Sequence, residues 1–506
     1  MSTASNQTAQ AAFALTRTEL DVGTRPEVRI VHIGLGAFHR AHQAWYTAQS
    51  DPQGQWGIAA FTGRSRTAAD QLNAQDGLYT LVTRGPEQDD FQMLGVIAEA
   101  HDGGALDALA ELVARPSTAV VTLTITEAGY HVVSGPDGHR LDTAEASVAA
   151  DLQSLRGHVR EGIFDTSASS ESGEGALTGQ QVVTAAARLV VALAARRAAG
   201  SGPLAVVSCD NLPGNGAVAR AAVVGTAAQI DQDLADWISA EVSFVDTSID
   251  RITPKTTSAD REAVAAATGR DDQAPVVTEP FSSWVLSGEF PAGRPRWEDA
   301  GAIFVDDLEA FERRKLWMLN GAHSLMAYAG QLRGHATVSA ALADVAVSGW
   351  VEELWDAAAA HLTDPVLDIP GYREALRGRF ENPRIAHHLA QIGVDGSLKL
   401  AARAVPIVQA ERAAGREGTA ALRAIAAWMD HVTAQLSAGE HVPDPAAEEL
   451  SAAVKNGTGG AALPPTSTDA AAAQQTQALL AVIDSEMAQE DDVVAAIQAL
   501  RGTFTD

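Results

Sequence analysis

Three side chains of different chemistry fall within nine residues of one apolar run: Lys315, Asn320 and His323, inside Leu308–Met326. An amine can lose its proton, an amide can donate to an oxygen, and an imidazole can do either. Together they could move a proton and steady charge on an oxygen. Lysine is scarce here. Lys255, Lys315, Lys399 and Lys455 are the only four among 36 basic residues, and arginine serves elsewhere. Arginine keeps its charge, whereas burial can push a lysine to give it up, which is what a general base needs.

Taken as one α-helix at about 100° per residue, the segment from Leu308 puts Phe311, Leu319, Ala322 and Met326 on a single apolar stripe. Lys315 falls inside that stripe, with His323 and Asn320 flanking it. A lysine there could simply snorkel, packing its stem and exposing its ammonium. Three polar groups in an otherwise apolar helix favour a site instead. Eight residues of helix rise roughly 12 Å, enough for a linear, sugar-sized substrate to lie along it.

A second group of candidates sits at the ends of strand-like runs. Gly34 and Gly36 follow Arg29–Ile33 and precede a helical pattern. That spacing suits a dinucleotide turn, the first glycine making the bend and the second admitting backbone to a pyrophosphate. Position 39 is His rather than a third glycine, and an isolated GxG is also an ordinary strand–helix turn. After the second strand stands Phe61-Thr-Gly-Arg64-Ser-Arg66, with no carboxylate for a ribose. Arg64 and Arg66 could pair with a 2′-phosphate or could be solvated surface charges. Ser208–Asn211 and Thr124–Tyr130 are further polar strand ends, equally suited to capping turns, and Asp250–Pro254 reads as an ion pair or turn. Asp395–Lys399 is a polar turn between helices. His387 and His388 make a poor metal pair, because adjacent residues point apart on a helix, and no metal site is expected.

These groups need a scaffold. Trp56–Phe61, Ala119–Ile125, Pro203–Ser208 and Ala274–Val277 are apolar runs that alternate with helical stretches, implying βαβ units and a mainly parallel sheet. From about Asp306 the pattern turns almost wholly helical. The fold class expected is α/β, a Rossmann-type dinucleotide-binding domain over about residues 25–290 and a mainly α-helical substrate domain over 291–506. The boundary is placed where Gly288, Pro291, Gly293 and Pro295 cluster. Asp165–Gly179 and Lys455–Thr468 have linker composition.

Composition narrows the function. The 506 residues carry 64 acidic and 36 basic side chains, a formal charge of −28. Nucleic acid and anionic membrane surfaces both call for the opposite sign. With 46% apolar residues the chain can bury a large core. No apolar run reaches the roughly 20 residues of a spanning helix. One cysteine, Cys209, excludes an internal disulfide and a cysteine-rich metal site. The N-terminal stretch does not resemble a signal peptide, so a cytoplasmic protein is expected. Oligomeric state is open, a monomer being compatible.

In order along the chain, Gly34-Leu-Gly-Ala-Phe38-His39-Arg40-Ala-His42-Gln43, TLTITEAGY, SCDNLPGNG, DRITP, the Lys315–Asn320–His323 segment and Asp395–Lys399 together resemble the mannitol dehydrogenase family of polyol-specific long-chain dehydrogenases. This family includes mannitol 2-dehydrogenase and fructuronate reductase, and GxGxFHRAH is its own form of the glycine turn. The resemblance implies a metal-independent enzyme using NAD or NADP, with Gly34, Gly36 and Phe38 on the cofactor. It implies Lys315 as catalytic base, Asn211 and Asn320 as the pair polarising the reacting oxygen, and His323 as a substrate contact. Glu127 and Glu312 match carboxylates implicated in proton passage, and Lys399 matches a substrate-binding lysine.

Eight residues before Lys399 the mannitol-oxidising branch carries Arg, and this chain has Gln391. RFENPRIAHHLAQIGVDGSLK and KLWMLNGAHS look more like the fructuronate reductase branch. Leu400-Ala-Ala-Arg403 departs from the Pro-containing stretch common there. The expectation is a 2-ketose reductase acting on D-fructuronate/D-mannonate, with D-fructose/D-mannitol or another hexitol or pentitol as the alternative. The rival from another class, a nucleotide-binding sensor without catalysis, would be expected to have lost the Lys–Asn–His set.

Overall fold

The apolar runs in the first half become strands because their residues alternate between two separately buried faces. Residues 13–20, 23–136, 138–160, 182–456 and 470–505 are described by the structure, a computed structural model. The chain forms two units, Met1–Leu308 and Glu309–Asp506. Most of the Asp165–Gly179 and Lys455–Thr468 linker-like stretches lies outside the described residues: all of the former, and everything after Asn456 in the latter.

In the first unit, β1 (Val28–Ile33), β2 (Gly57–Phe61), β3 (Ile97–His101), β4 (Val120–Leu123), β5 (Leu204–Ser208), β6 (Val242–Asp250), β7 (Ser283–Ser287) and β8 (Ile303–Phe304) build an eight-stranded sheet. Its order is β8-β7-β6-β5-β4-β1-β2-β3. All neighbours are parallel except β6 and β7. Val31, Ile33, Val121 and Leu123 pack on one face and Ile30, Val120, Ala205 and Val207 on the other. Burial on both faces gives the continuous apolar runs of a Rossmann-type sheet. The run expected at Ala274–Val277 forms a strand at Val276–Thr278, but in a separate three-stranded sheet, parallel to Tyr79–Arg84. The Gly288–Pro295 cluster lies inside the first unit, between β7 and β8.

Helices α1 (Ala37–Ala41), α2 (Gln43–Ser50), α3 (Leu106–Ala114), α4 (Ala185–Ala199) and α5 (Asn215–Ala228) cover the sheet. Arg196, fully buried near the end of α4, donates to the carbonyls of Val113, Arg115, Thr118, Ser201, Gly202 and Pro203 at 2.7–3.2 Å. One guanidinium thus satisfies the backbone leading into both β4 and β5.

The second unit is helical. The stretch after Leu308 is not the uniform α-helix expected. It runs as α6 (Glu309–Arg314), a π-helical turn over Lys315–Asn320, α7 (Gly321–Leu325) and a second π turn over Met326–Gly330. Helices α8 (Val345–Ala359), α9 (Ile369–Phe380), α10 (Gly396–Arg403) and α11 (Thr419–Ser437) follow. The buried Arg501–Asp430 pair, 2.8 Å, ties the C-terminal end to α11, and Thr476, Gln475 and Thr433 fill the remaining guanidinium donors.

In β1 and α1, His32 and His39 stack with centroids 3.4 Å apart and planes 10° off parallel. Burial holds His32 down to about 3, and burial with neighbouring His32 and Arg40 holds His39 well below its usual value. Both are neutral when folded and take up protons on unfolding below pH about 6.5. The stability they contribute is therefore complete above that pH and declines as pH falls through it, by about 1.4 kcal/mol per pH unit for each ring. Urea unfolding at pH 7, 6 and 5 should show a shallower decline for His39→Phe than for wild type, by about one proton's worth. Identical slopes would contradict the neutral stack.

Candidate active site

The parallel strands of the first unit all end at one edge, where their loops must turn and where α/β proteins bind ligands. The residues following β4 and β5, with one from α1 and one from β6, line a cleft of about 540 Å³: Phe38, Thr124–Ala128, Cys209–Asn211 and Ile249. Three of the residues singled out by sequence, Phe38, Glu127 and Asn211, thus share one cavity. Glu127 and Asn211 are exposed. Next to Asn211, the buried Asp210 accepts from the Tyr130 hydroxyl and from the Leu212 amide at 2.9 Å. Burial pushes its pKa above the usual carboxylate value in spite of those bonds. Asn215 is buried and structural: it exchanges bonds with the Thr247 backbone at 2.8 and 2.9 Å, locking β6 beside the end of β5.

Gly34 has φ +113°, and a Cβ there would lie 2.1 Å from the Thr124 carbonyl oxygen. Only glycine fits, because the turn presses on the end of β4. A hydrogen-bond relay holds the contact. Thr124 Oγ1 donates to the Gly34 carbonyl at 2.8 Å, so it must accept from His32 Nε2 at 3.1 Å. His32 Nδ1 then accepts from the Thr122 hydroxyl at 2.8 Å, which settles the tautomer. His32 is a site-supporting residue that sequence reasoning did not single out, and Thr124 was read only as the start of a polar strand end. A polar side chain buried on an otherwise apolar strand was the available signal for His32.

Gly36 differs. Its backbone is extended, with φ −145°, and a Cβ would meet nothing closer than the Gly34 oxygen at 3.6 Å. Protein packing leaves room for a side chain, and the missing methyl fits a ligand backbone brought close, as a dinucleotide pyrophosphate would be. Arg40, the arginine of the glycine-turn motif, is buried. It donates to the Ala274 carbonyl at 2.5 Å and the Gly36 carbonyl at 3.2 Å, bracing the turn through the protein.

Beyond β2 and β3 lies a second recess of about 740 Å³, lined by Gly63, Arg64, Asp102, His131, Glu145 and Arg188 among others. Arg64 opens onto it. Arg66 is exposed and paired with Asp70 at 2.9 Å on its own helix.

In the second unit, Lys315, Asn320 and Glu312 are half-buried and His323 is buried. His323 packs against Phe380 and His387, with centroids 4.9 and 4.8 Å away. Burial first, then His387, Arg379 and Arg403, keeps it well below its usual value, so it is a neutral donor or acceptor. The π turn changes the geometry read from an α-helical wheel. The Gly321 amide reaches back five residues to the Leu316 carbonyl. Residues five apart then stand one above another, whereas on an α-helix they diverge by about 140°. Lys315 and Asn320 accordingly share a face.

Lys399 lies on α10, held at its start by Asp395 in the left-handed region and by Ser397 bonded to Asp444 at 2.8 and 2.5 Å. A Cβ on Gly396 would lie 2.4 Å from Trp428 Nε1, so only glycine fits there. Lys399 Nζ donates to the Ile392 carbonyl at 3.1 Å, and burial with Arg403 nearby lowers its affinity for its proton. Gln391 is exposed on the turn before. Among the described residues no helix is long and apolar enough to cross a membrane, and no cluster of three His, Cys, Asp or Glu could hold a metal ion.

Sequence profiles place this arrangement. The mannitol dehydrogenase Rossmann domain matches residues 28–299, and the mannitol dehydrogenase C-terminal domain matches 307–500. An uncharacterized oxidoreductase, YeiQ, of Escherichia coli K12 is 36% identical over 435 residues, 83% of each chain. The D-mannonate oxidoreductase of the same organism is 35% identical over 421 residues, 80% of each. The mannitol 2-dehydrogenase of Pseudomonas fluorescens, solved as a ternary complex with NAD and D-mannitol, is 32% identical with a TM-score of 0.70, covering 97% of this chain and 94% of that one. With both halves matched and the glycine turn shaped for a dinucleotide, the chain belongs to the mannitol dehydrogenase family and is an NAD(P)-dependent oxidoreductase of secondary alcohols.

Proposed function

We propose that the chain interconverts a 2-keto sugar acid and the corresponding aldonate, with D-fructuronate and D-mannonate as the leading pair. The observation that carries this is a pair of cations one helical turn apart on α10, Lys399 and Arg403, with Arg403 bonded to the Asn320 carbonyl oxygen at 3.4 Å. In a chain of −28, positive charge on that helix suits a carboxylate substrate. The relationship to a D-mannonate oxidoreductase supports the same reading. D-fructose and D-mannitol are the second reading, supported by the mannitol 2-dehydrogenase relative.

A bound nicotinamide cofactor would supply or accept hydride at C2 in ketose numbering, which is C5 of the aldonate. Lys315 takes the C2 hydroxyl proton during oxidation and returns one to the oxygen during reduction. The Asn320 side-chain amide donates to that oxygen as charge develops, and Asn211 is the second donor. His323, neutral and walled in by Phe380 and His387, holds a substrate hydroxyl. Glu312, three residues before Lys315, and Glu127 relay the proton toward solvent.

For the cofactor, Arg64 is the better candidate to meet a 2′-phosphate: it lines a recess, whereas Arg66 pairs with Asp70. NADPH should bind measurably, and Arg64→Ala should weaken it about tenfold, a charged hydrogen bond's worth, with NADH little changed. Fluorescence titration with both reduced cofactors checks this. Equal effects on the two would contradict it.

For the substrate, kcat/KM should favour D-fructuronate over D-fructose. Lys399→Met should raise KM for D-fructuronate about 10- to 100-fold and that for D-fructose much less. Equal losses for the two ketoses would mean that Lys399 recognises hydroxyls, and the preference for an acid would lose its support.

A further inference from the structure

Two carbonyls of the π turn that carries Lys315 are met from outside the helix. Trp355 on α8 is fully buried, and its indole Nε1 donates to the Met318 carbonyl at 2.9 Å. Arg403, at the end of α10, donates to the Asn320 carbonyl at 3.4 Å and to Ser324 Oγ at 3.0 Å. The indole is itself fixed, stacked on Phe380 with centroids 6.1 Å apart and flanked by the guanidiniums of Arg373 and Arg377. The two donors therefore grip the π turn from two other helices. A regular α-helix through the same residues would swing Lys315 and Asn320 about 140° apart.

We propose that Trp355 and Arg403 are positioning residues that keep the Lys315–Asn320 segment π-helical, so that amine and amide face the same substrate oxygen. Neither need touch the substrate. This rests on Lys315 acting as the base and Asn320 as its partner, and it adds what aligns them. It also gives Arg403 a task separate from Lys399: its fork is used on the helix backbone and Ser324.

A double-mutant cycle on the full-length enzyme tests it, using Trp355→Phe, which keeps an aromatic ring and deletes the N–H donor. Trp355→Phe should lower kcat for ketose reduction about 10- to 100-fold, the usual consequence of a misplaced catalytic group, with cofactor affinity unchanged. In the Lys315→Ala background, where product accumulated over hours gives the rate, it should cost nothing further, because its effect passes through the lysine. Arg403→Lys, tested in the same way, should show the same non-additivity. Multiplicative losses in the double variant would mark Trp355 as merely structural and overturn the proposal. An unchanged kcat in Trp355→Phe beside an inactive Lys315→Ala would overturn it too, leaving the lysine's role standing. Near-wild-type turnover by Lys315→Ala would remove that role itself. Should Trp355→Phe fail to fold, benzothienylalanine at position 355, which keeps the bicyclic ring without the N–H, decides the question by the same readouts.

Discussion

In the proposed reaction an amine and an amide must reach one oxygen from a single helix, and a helix dictates which of its residues can do so. Lys315 and Asn320 are five apart, the wrong spacing for an α-helix and the right one for a π turn. Inserting that turn is unfavourable in isolation, since π geometry is rare and its backbone bonding is irregular. It persists here because the helix is buried from Gly321 to Gly330 and because Trp355 and Arg403 meet its carbonyls. The packing of α8 and α10 thus becomes a condition on the chemistry, and substitutions there should be felt at the proposed site before they are felt in stability.

The first unit faces a comparable problem at the other end of the reaction. A dinucleotide turn must bring backbone close to a pyrophosphate without a side chain intervening. Gly34 is glycine for the protein's sake, pressed on Thr124, whereas Gly36 has room for a methyl, and nothing in the protein's own packing requires glycine there. The His32–Thr124–Gly34 relay and the buried Arg40 hold the turn from beneath. His32 and Arg40 are buried beneath it, so the turn is held in shape before cofactor arrives, and less ordering remains to be done on binding.

Much of this was legible in the residues. The strands β1, β2, β4 and β5 announced themselves as apolar runs, because a sheet buried on both faces leaves no polar alternation. β6 was hidden for the opposite reason: Val-Ser-Phe-Val-Asp-Thr-Ser-Ile-Asp alternates, its residues only half buried at every second place. The Lys–Asn–His set stood out by type, yet the wheel separated Lys315 from Asn320, since periodicity assumes one pitch throughout. No residue in KLWMLN marks a change of pitch; the partners that sustain it, Trp355 and Arg403, are 40 and 88 positions beyond Lys315 in the chain. What Arg40 and Arg66 bond to was not legible either, because what a charged side chain does depends on the carbonyl or carboxylate that folding places beside it.

The central claim is transfer of hydride between a nicotinamide and C2 of an open-chain sugar acid. The most direct measurement is reduction of D-fructuronate with NADH deuterated at both C4 positions, followed by NMR of the product. The product expected is an aldonate carrying one deuterium, on the carbon that was C2 of the ketose and is C5 in aldonate numbering. Product without deuterium at that carbon, or with it on another, would contradict the reaction assigned to Lys315 and its partners.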